Sequence, residues 1–268
     1  MKRTKAGVRE AARTEPSSSS AEPVLHEQSL VVQPPHPGLG PFHGPSPEGE
    51  GKGGSLVKLL TWLSPAFPTG GFAYSHGLEW AVEAGDVRNE GTLATWLNDV
   101  LRHGSGRTDA ILLRHAHRAA DLAGLAAVAE LAAAAQSSRE RQAETLGQGT
   151  AFALAAAVWG APLLTALDGP VAYPVAVGAL ACAHAVAEDA AARGFLHAAA
   201  ANMVSAAVRL VPLGQTAGLR VLSQLEPAIT TVAEDTRTAT LDDLGGACFR
   251  SDIAAMRHET QYTRLFRT

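Results

Sequence analysis

Apolar residues recur along this chain at the spacing of amphipathic α-helices. In the first such stretch, four leucines occupy positions i, i+3, i+4 and i+7, which places them on one face of a helix. The clearest period follows Asn89, a residue that favours the N-cap position. The leucines of the first stretch are Leu56, Leu59, Leu60 and Leu63, and the apolar positions of the second are Leu93, Trp96, Leu97, Val100 and Leu101. Both stretches are predicted to be helices that bury this face.

The segment 62–80, WLSPAFPTGGFAYSHGLEW, interrupts the helical pattern. Pro65 and Pro68 each remove a backbone donor and push the residue before them out of the helical region. Gly70-Gly71 allows a positive φ or a close backbone approach. The segment therefore predicts a rigid aromatic turn, followed by a second helix with Ser75 as its N-cap and Gly85 as its stop.

Capping residues and breakers divide the rest of the chain into further helices. Thr108 is a candidate N-cap, Ser137-x-x-Glu140 is a capping-box pattern, and Gly194 predicts a break. The later helices are predicted at about 89–103, 108–120, 122–135, 137–159, 173–192, 195–211, 215–237 and 253–262, with a loop at 238–246. No segment alternates apolar and polar residues, and no hairpin signal occurs. The sequence therefore predicts an all-α fold, a single bundle of about ten helices.

Three regions differ in composition. Residues 1–54 contain a serine run and the stretches PPHPGLGP and EGEGKGG, which cannot bury enough apolar surface to offset chain entropy and predict a disordered, low-complexity tail. Residues 55–250 carry the helical pattern and are predicted to form the all-α domain. Residues 251–268 mix arginine, tyrosine and phenylalanine, residue types enriched in interface energy. We expect them to dock on a partner, although a polar chain end can also simply fray.

Charge and cysteine content limit the classes of function. The formal net charge is −4, and no dense lysine or arginine cluster occurs, which argues against a nucleic-acid-binding protein. Two cysteines in 268 residues are typical of a reducing, cytoplasmic environment. The N-terminus has no apolar core of a secretory signal. The longest apolar run, 171–187, is too short to span a membrane and is predicted to be a buried helix.

None of the candidate catalytic or metal-binding patterns has the spacing that its chemistry requires. Ser75 and His76 are adjacent, so their side chains diverge on a helix. His115-x-His117 and Cys182-x-His184 are spaced i, i+2, which puts each pair on different helix faces. Gly51-Lys52 lacks the other residues of a phosphate-binding loop, and Asp242-Asp243 is expected to cap or solvate a loop. We therefore expect no enzymatic activity, no cofactor and no dedicated metal site.

Three motifs resemble the signatures of one family. The first is Ser64-Pro65-Ala66 followed by Pro68-x-Gly70-Gly71-Phe72-x-Tyr74-Ser75-x-Gly77-Leu78-Glu79. The second runs from Asn202 to Gly218, N-x-VSAAVRLVPLGQT-x-G, and the third from Asp252 to Arg267, DIA-x-MRHETQY-x-RLFR. In this order they are similar to the signatures of the urease accessory protein UreF family. The resemblance covers the chain from about Leu56 onward. Ala217 departs from it, because many relatives carry an acid there.

The resemblance implies an all-α, cytoplasmic homodimer without catalysis of its own. It implies a scaffold or co-chaperone that bridges UreD (also called UreH) and the GTPase UreG, with possible gating of that GTPase. The assembly would insert nickel into apo-urease (UreABC) in a GTP-dependent manner. The segment 251–268 would become ordered against UreD. The partner-binding residues that the motifs imply are Tyr74, Glu79, Gln215, Arg220, Arg257, His258, Glu259, Tyr262, Arg264, Leu265 and Phe266.

Two other functions remain as alternatives. One is a helical hydrolase or transferase with a site under the aromatic turn, near Tyr74, His76 and Glu79. The other is a direct nickel carrier that uses the scattered histidines. Turnover by the isolated protein would favour the first alternative, and one tight stoichiometric nickel site would favour the second.

Overall fold

Eleven α-helices build the part of the chain that the computed structural model describes, residues 52–268. They are α1 (Lys52–Trp62), α2 (Leu78–Glu83), α3 (Glu90–His103), α4 (Ser105–Arg118), α5 (Leu122–Ala134), α6 (Arg139–Ala156), α7 (Pro162–Thr165), α8 (Tyr173–Ala183), α9 (Glu188–Leu210), α10 (Gln215–Asp235) and α11 (Phe249–His258). Three short 3₁₀ turns lie between them, and no strand occurs in these residues. The predicted all-α fold is confirmed.

The predicted tail lies outside the described residues, apart from its last three positions. These belong to α1, which begins at Lys52. The four-leucine face predicted for this helix is only partly correct, because Leu59 is buried whereas Leu56 and Leu60 are exposed.

Helix α8 lies at the centre of the larger apolar core. Its residues from Pro174 to Ala181 are all buried, and it packs against α4 and α6. A side chain at Gly178 would place its Cβ 2.2 Å from the carbonyl oxygen of Leu113, so the two backbones meet where only glycine fits. Small residues thus let these helices approach closely. None of the helices described here is both long and apolar enough to cross a membrane.

A second apolar core joins α2, α3, α9, α10 and α11. Helix α9 serves both cores, because Phe195 faces the first and Leu196 faces the second. In this second core, α11 packs against α2, and it also contacts α6. Helices α2 and α6, which are far apart in sequence, therefore both contact the C-terminal helix α11.

Several predicted helix ends are confirmed. Asn89 caps α3 by accepting a hydrogen bond from the backbone of Thr92. Gly85, with φ 78°, follows the end of α2 as expected. Helix α10 begins at Gln215 as predicted. In the predicted loop, Asp243 accepts hydrogen bonds from Thr240, so it has the capping role that the sequence indicated.

Other predicted starts are wrong because local signals were outweighed. Helix α2 begins at Leu78 rather than Ser75, since His76 and Gly77 have positive φ values of 60° and 74° and the chain is still turning there. Ser138, not Ser137, caps α6. Thr108 does not cap α4, whose first residue is Ser105.

Three later boundaries also differ from the prediction. The helix predicted at 173–192 ends at Ala183, and α9 begins at Glu188 and runs through Gly194. Gly194 is not a break, because the space of its missing side chain is taken by Leu63, whose Cδ1 would be 2.9 Å from an added Cβ. Helix α11 begins at Phe249, four residues before the predicted start at Ile253.

Candidate functional site

Three buried carboxylates lie beneath the aromatic turn and form what we call the carboxylate cluster. Glu79 comes from α2, whereas Glu140 and Glu144 come from consecutive turns of α6. Their exposed fractions are only 6%, 9% and 5%. Buried carboxylates are costly unless donors or positive charges surround them. Most of the donors to this cluster come from α11 and the residues after it.

The backbone of the closing segment, residues 259–268, binds directly to Glu79. The amide of Leu265 donates to Oε1 at 2.7 Å, and the amide of Phe266 donates to Oε2 at 3.0 Å. Phe266 is 6% exposed and lies under the guanidinium of Arg209, 4.4 Å from the ring centroid. Leu265, its neighbour, is 76% exposed. Glu79 therefore binds the backbone at the position where Phe266 turns inward and Leu265 turns toward solvent.

His258, the last residue of α11, lies between two of the carboxylates. Its Nε2 is 3.1 Å from Glu79 Oε2, and its Nδ1 is 2.7 Å from Glu140 Oε2. The side chain is fully buried. Both ring nitrogens can donate at once only in the imidazolium form, which would place one positive charge between two negative ones. His258 thus links α11 to both α2 and α6.

The end of the closing segment makes the remaining contacts. Arg264 Nη1 lies 3.0 Å from Glu140 Oε1, and the hydroxyl of Thr268 donates to Glu144 Oε2 at 2.7 Å. The amide of Arg267 donates to the carbonyl oxygen of Ala73. Ser75 donates to the backbone oxygen of Thr268 through both its amide and its hydroxyl. The first and third sequence motifs are therefore in direct contact.

A cavity of about 280 Å³ adjoins Glu144 on the other side of the turn. His76 Nε2 is 2.7 Å from Ser105 Oγ, and His76 Nδ1 is 3.5 Å from Glu144 Oε1. Arg141 Nη1 lies 2.6 Å from Glu144 Oε2, at ion-pair distance although not aligned as a hydrogen bond. Asp109 completes the charged lining. The fold thus brings a serine, a histidine and a glutamate into one line.

Burial and neighbouring charges shift the pKa values of these groups in different directions. Burial raises the pKa of Asp109 to about 7, against the opposing effect of Arg141. Burial, together with Arg141, lowers the pKa of His76 although Glu144 opposes the change. Burial alone would raise the pKa of Glu144, but Arg141, His76 and the hydroxyl of Thr268 outweigh it and lower that pKa. Near pH 7, Glu144 is therefore ionised and His76 is largely neutral.

The residues implied by the motifs occupy three kinds of position. Glu79, His258 and Phe266 are buried against the carboxylate cluster. Tyr74 is partly buried over α6, where its hydroxyl oxygen would be 2.9 Å from a Cβ added at Gly147. The others are exposed, namely Gln215, Arg220, Arg257, Glu259, Tyr262, Arg264 and Leu265. Of these, Arg220 pairs with Glu90 of α3, outside the cluster. Their contact with a partner stays a prediction.

The sequence-based prediction missed Asp109, Glu140, Arg141 and Glu144. One signal in α6 could have found the two glutamates. Positions 140, 144, 148 and 152 lie four apart, so they share one helix face. That face ends in Phe152, which is fully buried. Polar residues in line with a buried aromatic residue indicate a buried polar face rather than a solvated one.

No group of three or more histidine, cysteine, aspartate or glutamate side chains is arranged to hold a metal ion within residues 52–268. The carboxylates of the cluster are instead occupied by the arginine, histidine, hydroxyl and backbone donors described above. The arrangement is suited to binding a peptide segment through its amides.

Comparison with known proteins agrees with the motifs. The family model of UreF matches residues 87–226. A urease accessory protein UreF of Rhodopseudomonas palustris (strain TIE-1) is 54% identical over 222 residues, which cover 80% of this chain and 92% of the relative. Two Bradyrhizobium proteins of the same name, from strains BTAi1 and ORS 278, are each 52% identical, over 80% and 84% of this chain and 92% and 96% of their own lengths. The chain therefore belongs to the UreF family of urease accessory proteins.

Proposed function

We propose that this chain is a non-enzymatic scaffold that bridges UreD (UreH) and the GTPase UreG during maturation of urease. In this role it works as a cytoplasmic homodimer and supports GTP-dependent nickel insertion into apo-urease (UreABC), with gating of the UreG GTPase as a further possibility of the same assembly. Nickel is the cargo of the assembly rather than a resident cofactor of this chain. Membership of the family supports the accessory role.

The proposal that α11 and the closing segment dock on UreD rests on the side chains that these residues expose. Phe249, Ile253 and Met256 are spaced i, i+4 and i+7, so they form one stripe on α11, and their exposed fractions are 68%, 49% and 49%. Tyr262 and Leu265 are exposed on the segment that follows. Exposed apolar and aromatic residues in such density are typical of protein interfaces.

Six further residues implied by the motifs complete the proposed contact surfaces. Arg257 lies on α11, and Glu259 and Arg264 lie in the closing segment that follows it. Gln215 and Arg220 lie on α10, and Tyr74 lies on the turn. We keep all six as proposed partner contacts.

A surface variant tests the docking proposal without removing buried residues. Truncation at Arg250 would also delete His258 and Phe266, which pack inside the body. The double variant Tyr262→Ala, Leu265→Asp changes only exposed side chains. We expect it to keep its helicity and melting temperature, to bind UreD at least about tenfold more weakly and to support less urease activation when UreG, GTP and magnesium are added.

Leu154→Asp is the matched control, since Leu154 is 74% exposed on α6 and outside the proposed surface. It should bind UreD as the unchanged chain does. If the double variant co-purifies with UreD and activates urease to the same extent as the control, docking through this segment is disproved.

The line of Ser105, His76 and Glu144 is the one observation that favours an enzyme instead. A neutral histidine beside a serine hydroxyl can act as its general base. Against this, the same Glu144 carboxylate is also bound by Arg141 and Thr268. A fluorophosphonate probe decides between the two: labelling at Ser105 that disappears in His76→Ala would support a hydrolase, as would turnover lost in Tyr74→Phe or Glu79→Ala. We expect neither labelling nor turnover.

A further inference from the structure

We infer that Phe72 is an apolar anchor for UreD, and that Asn202 and Arg209 of α9 are positioning residues that hold it outward. The inference deepens the proposed function, and it rests on that function for the identity of the partner. It adds a contact on the aromatic turn to the surface that α11 and the closing segment provide.

The exposure of the Phe72 ring is the first argument. Phe72 is the central residue of the 3₁₀ turn Gly71–Ala73, and its exposed fraction is 73%. Phe67, five residues earlier, instead packs on Phe152 and Trp159. The fold therefore buries one phenylalanine of the aromatic turn and leaves the other facing solvent. Exposed aromatic side chains of this kind are enriched at the centres of protein interfaces.

Two side chains of α9 bind the backbone on both sides of this ring. Asn202 Nδ2 donates to the carbonyl oxygen of Gly71 at 3.1 Å, and Arg209 Nη1 donates to the carbonyl oxygen of Phe72 at 2.9 Å. Both donors belong to α9, so they hold the turn independently of the position of the closing segment. A turn that is already fixed lowers the conformational entropy that a partner must offset when it buries the ring.

The surroundings of the turn point to UreD as the partner. The guanidinium of Arg209, which binds the carbonyl of Phe72, also lies 4.4 Å from the ring centroid of Phe266. The next carbonyl, that of Ala73, accepts a hydrogen bond from the amide of Arg267. The turn therefore adjoins the closing segment, which the proposed function places against UreD. A UreD molecule that covers this segment reaches the turn beside it and needs an apolar pocket for one aromatic ring.

Phe72→Ala in the full chain is the variant that tests the anchor. The ring is exposed, so its loss should leave helicity and melting temperature unchanged. In a titration against UreD, we expect the variant to bind at least about tenfold more weakly than the unchanged chain. Phe72→Leu keeps an apolar side chain and should recover most of the affinity.

Val158→Ala is the matched control. Val158 is also 73% exposed, and it is the central residue of another 3₁₀ turn, Ala157–Trp159. This turn follows the end of α6, outside the proposed surface. The control should bind UreD as the unchanged chain does.

A double-mutant cycle tests the positioning role through Asn202, since Arg209 also contacts Phe266. Asn202→Ala removes the donor to Gly71 and should weaken UreD binding about three- to tenfold. In a Phe72→Ala background the same change should cause no further loss, because Asn202 acts through the ring. A general structural effect of Asn202 would lower the affinity equally in both backgrounds, and that result would overturn the positioning role.

The outcomes separate failure of the inference from failure of the proposed function. If the unchanged chain binds UreD and Phe72→Ala binds it equally well, the inference is overturned and the proposed function stands. Weaker UreG binding or a weaker homodimer in Phe72→Ala, with UreD affinity unchanged, would assign the ring to another partner and also overturn the inference. If the unchanged chain does not bind UreD, the proposed function fails, and the inference fails with it.

Discussion

Arg114 and Glu79 are both buried charged side chains, but their partners differ in kind. Arg114 is 1% exposed and bonds to Thr236 Oγ1, to the carbonyl oxygen of Ala233, and to Glu188 and Asp189. All of these partners belong to helices α9 and α10 or to the residue that ends α10. We call this set the arginine cluster. The carboxylate cluster around Glu79 takes most of its donors from α11 and the closing segment.

The difference separates a cluster that fastens helices from one that holds an extended segment. Glu188 and Asp189 lie in the first turn of α9, where the helix dipole favours acids. Arg114 itself lies in α4, so regular helices hold both the arginine and its partners. Glu79 is bound by two amides of the closing segment, which has no helical bonds of its own, and by His258 at the end of α11. Opening the carboxylate cluster therefore requires the closing segment and the end of α11 to move, whereas opening the arginine cluster separates α4 from α9 and α10.

The largest effect is expected from Arg114→Met. Loss of the buried guanidinium leaves the carbonyl of Ala233 without its donor and removes one of the two arginines that bind each of Glu188 and Asp189. Breaking a buried ion pair typically costs about 3–5 kcal/mol. Chemical denaturation should show a loss of this size in the free energy of unfolding. Arg118→Ala is the control, since Arg118 shares Glu188 but is 39% exposed, and it should cost about 1 kcal/mol or less. Equal losses in both variants would contradict the distinction between the buried Arg114 and the more exposed Arg118.

Gly77→Ala should separate the first motif from α11. Gly77 has φ 74°, and an added Cβ would lie 2.7 Å from the backbone nitrogen of Ala255 in α11. Strain and overpacking together should lower the free energy of unfolding by about 3 kcal/mol and expose the closing segment to trypsin.

Gly70→Ala provides the comparison for that variant. Gly70 has a similar φ of 71°, yet nothing lies within 4 Å of an added Cβ. Its loss should therefore be limited to the conformational cost of about 1 kcal/mol. A Gly77→Ala chain that is no less stable than Gly70→Ala would show that the contact with α11 is not tight.

The pH dependence of stability in Asp109→Asn tests the raised pKa of Asp109 in the cavity beside the carboxylate cluster. The folded pKa of about 7 lies above the ordinary 3.8, so between these values the folded chain holds a proton that the unfolded chain has released. Stability contributed by this group is present below pH 4 and is lost as the pH rises through 7. The variant lacks this loss, so its advantage in unfolding free energy should grow from near zero at pH 4 to about 4 kcal/mol at pH 8. A constant difference across this range would contradict the raised pKa.

Arg220→Ala should have the smallest effect on stability. Arg220 and Glu90 form an exposed ion pair at 2.9 Å, and such pairs contribute little. The melting temperature should not change measurably. If UreG or UreD binding falls while the melting temperature stays constant, Arg220 contacts a partner, and unchanged binding to both would remove it from the proposed surface.

Local signals in the sequence were sufficient for much of the fold. The amphipathic period of α3, the cap at Asn89 and the stop at Gly85 depend on residues within a few positions of one another, and all three are confirmed. Where a local signal competed with a distant contact, the contact decided. The Ser75 hydroxyl accepts a hydrogen bond from the amide of Glu79 in the first turn of α2, as a capping residue does, but it also donates to the backbone oxygen of Thr268, and the helix starts only at Leu78.

The sequence by itself determined the all-α class, most helices and the family, because periodicity, capping and motif order are written in neighbouring residues. Only the tertiary structure decided that Glu79 faces inward to the amides of Leu265 and Phe266, and that Glu140 and Glu144 join it. The physical reason is that helical spacing fixes which residues share a face, but not what that face meets. Here α2 and α6 meet the closing segment, which no spacing within either helix could indicate.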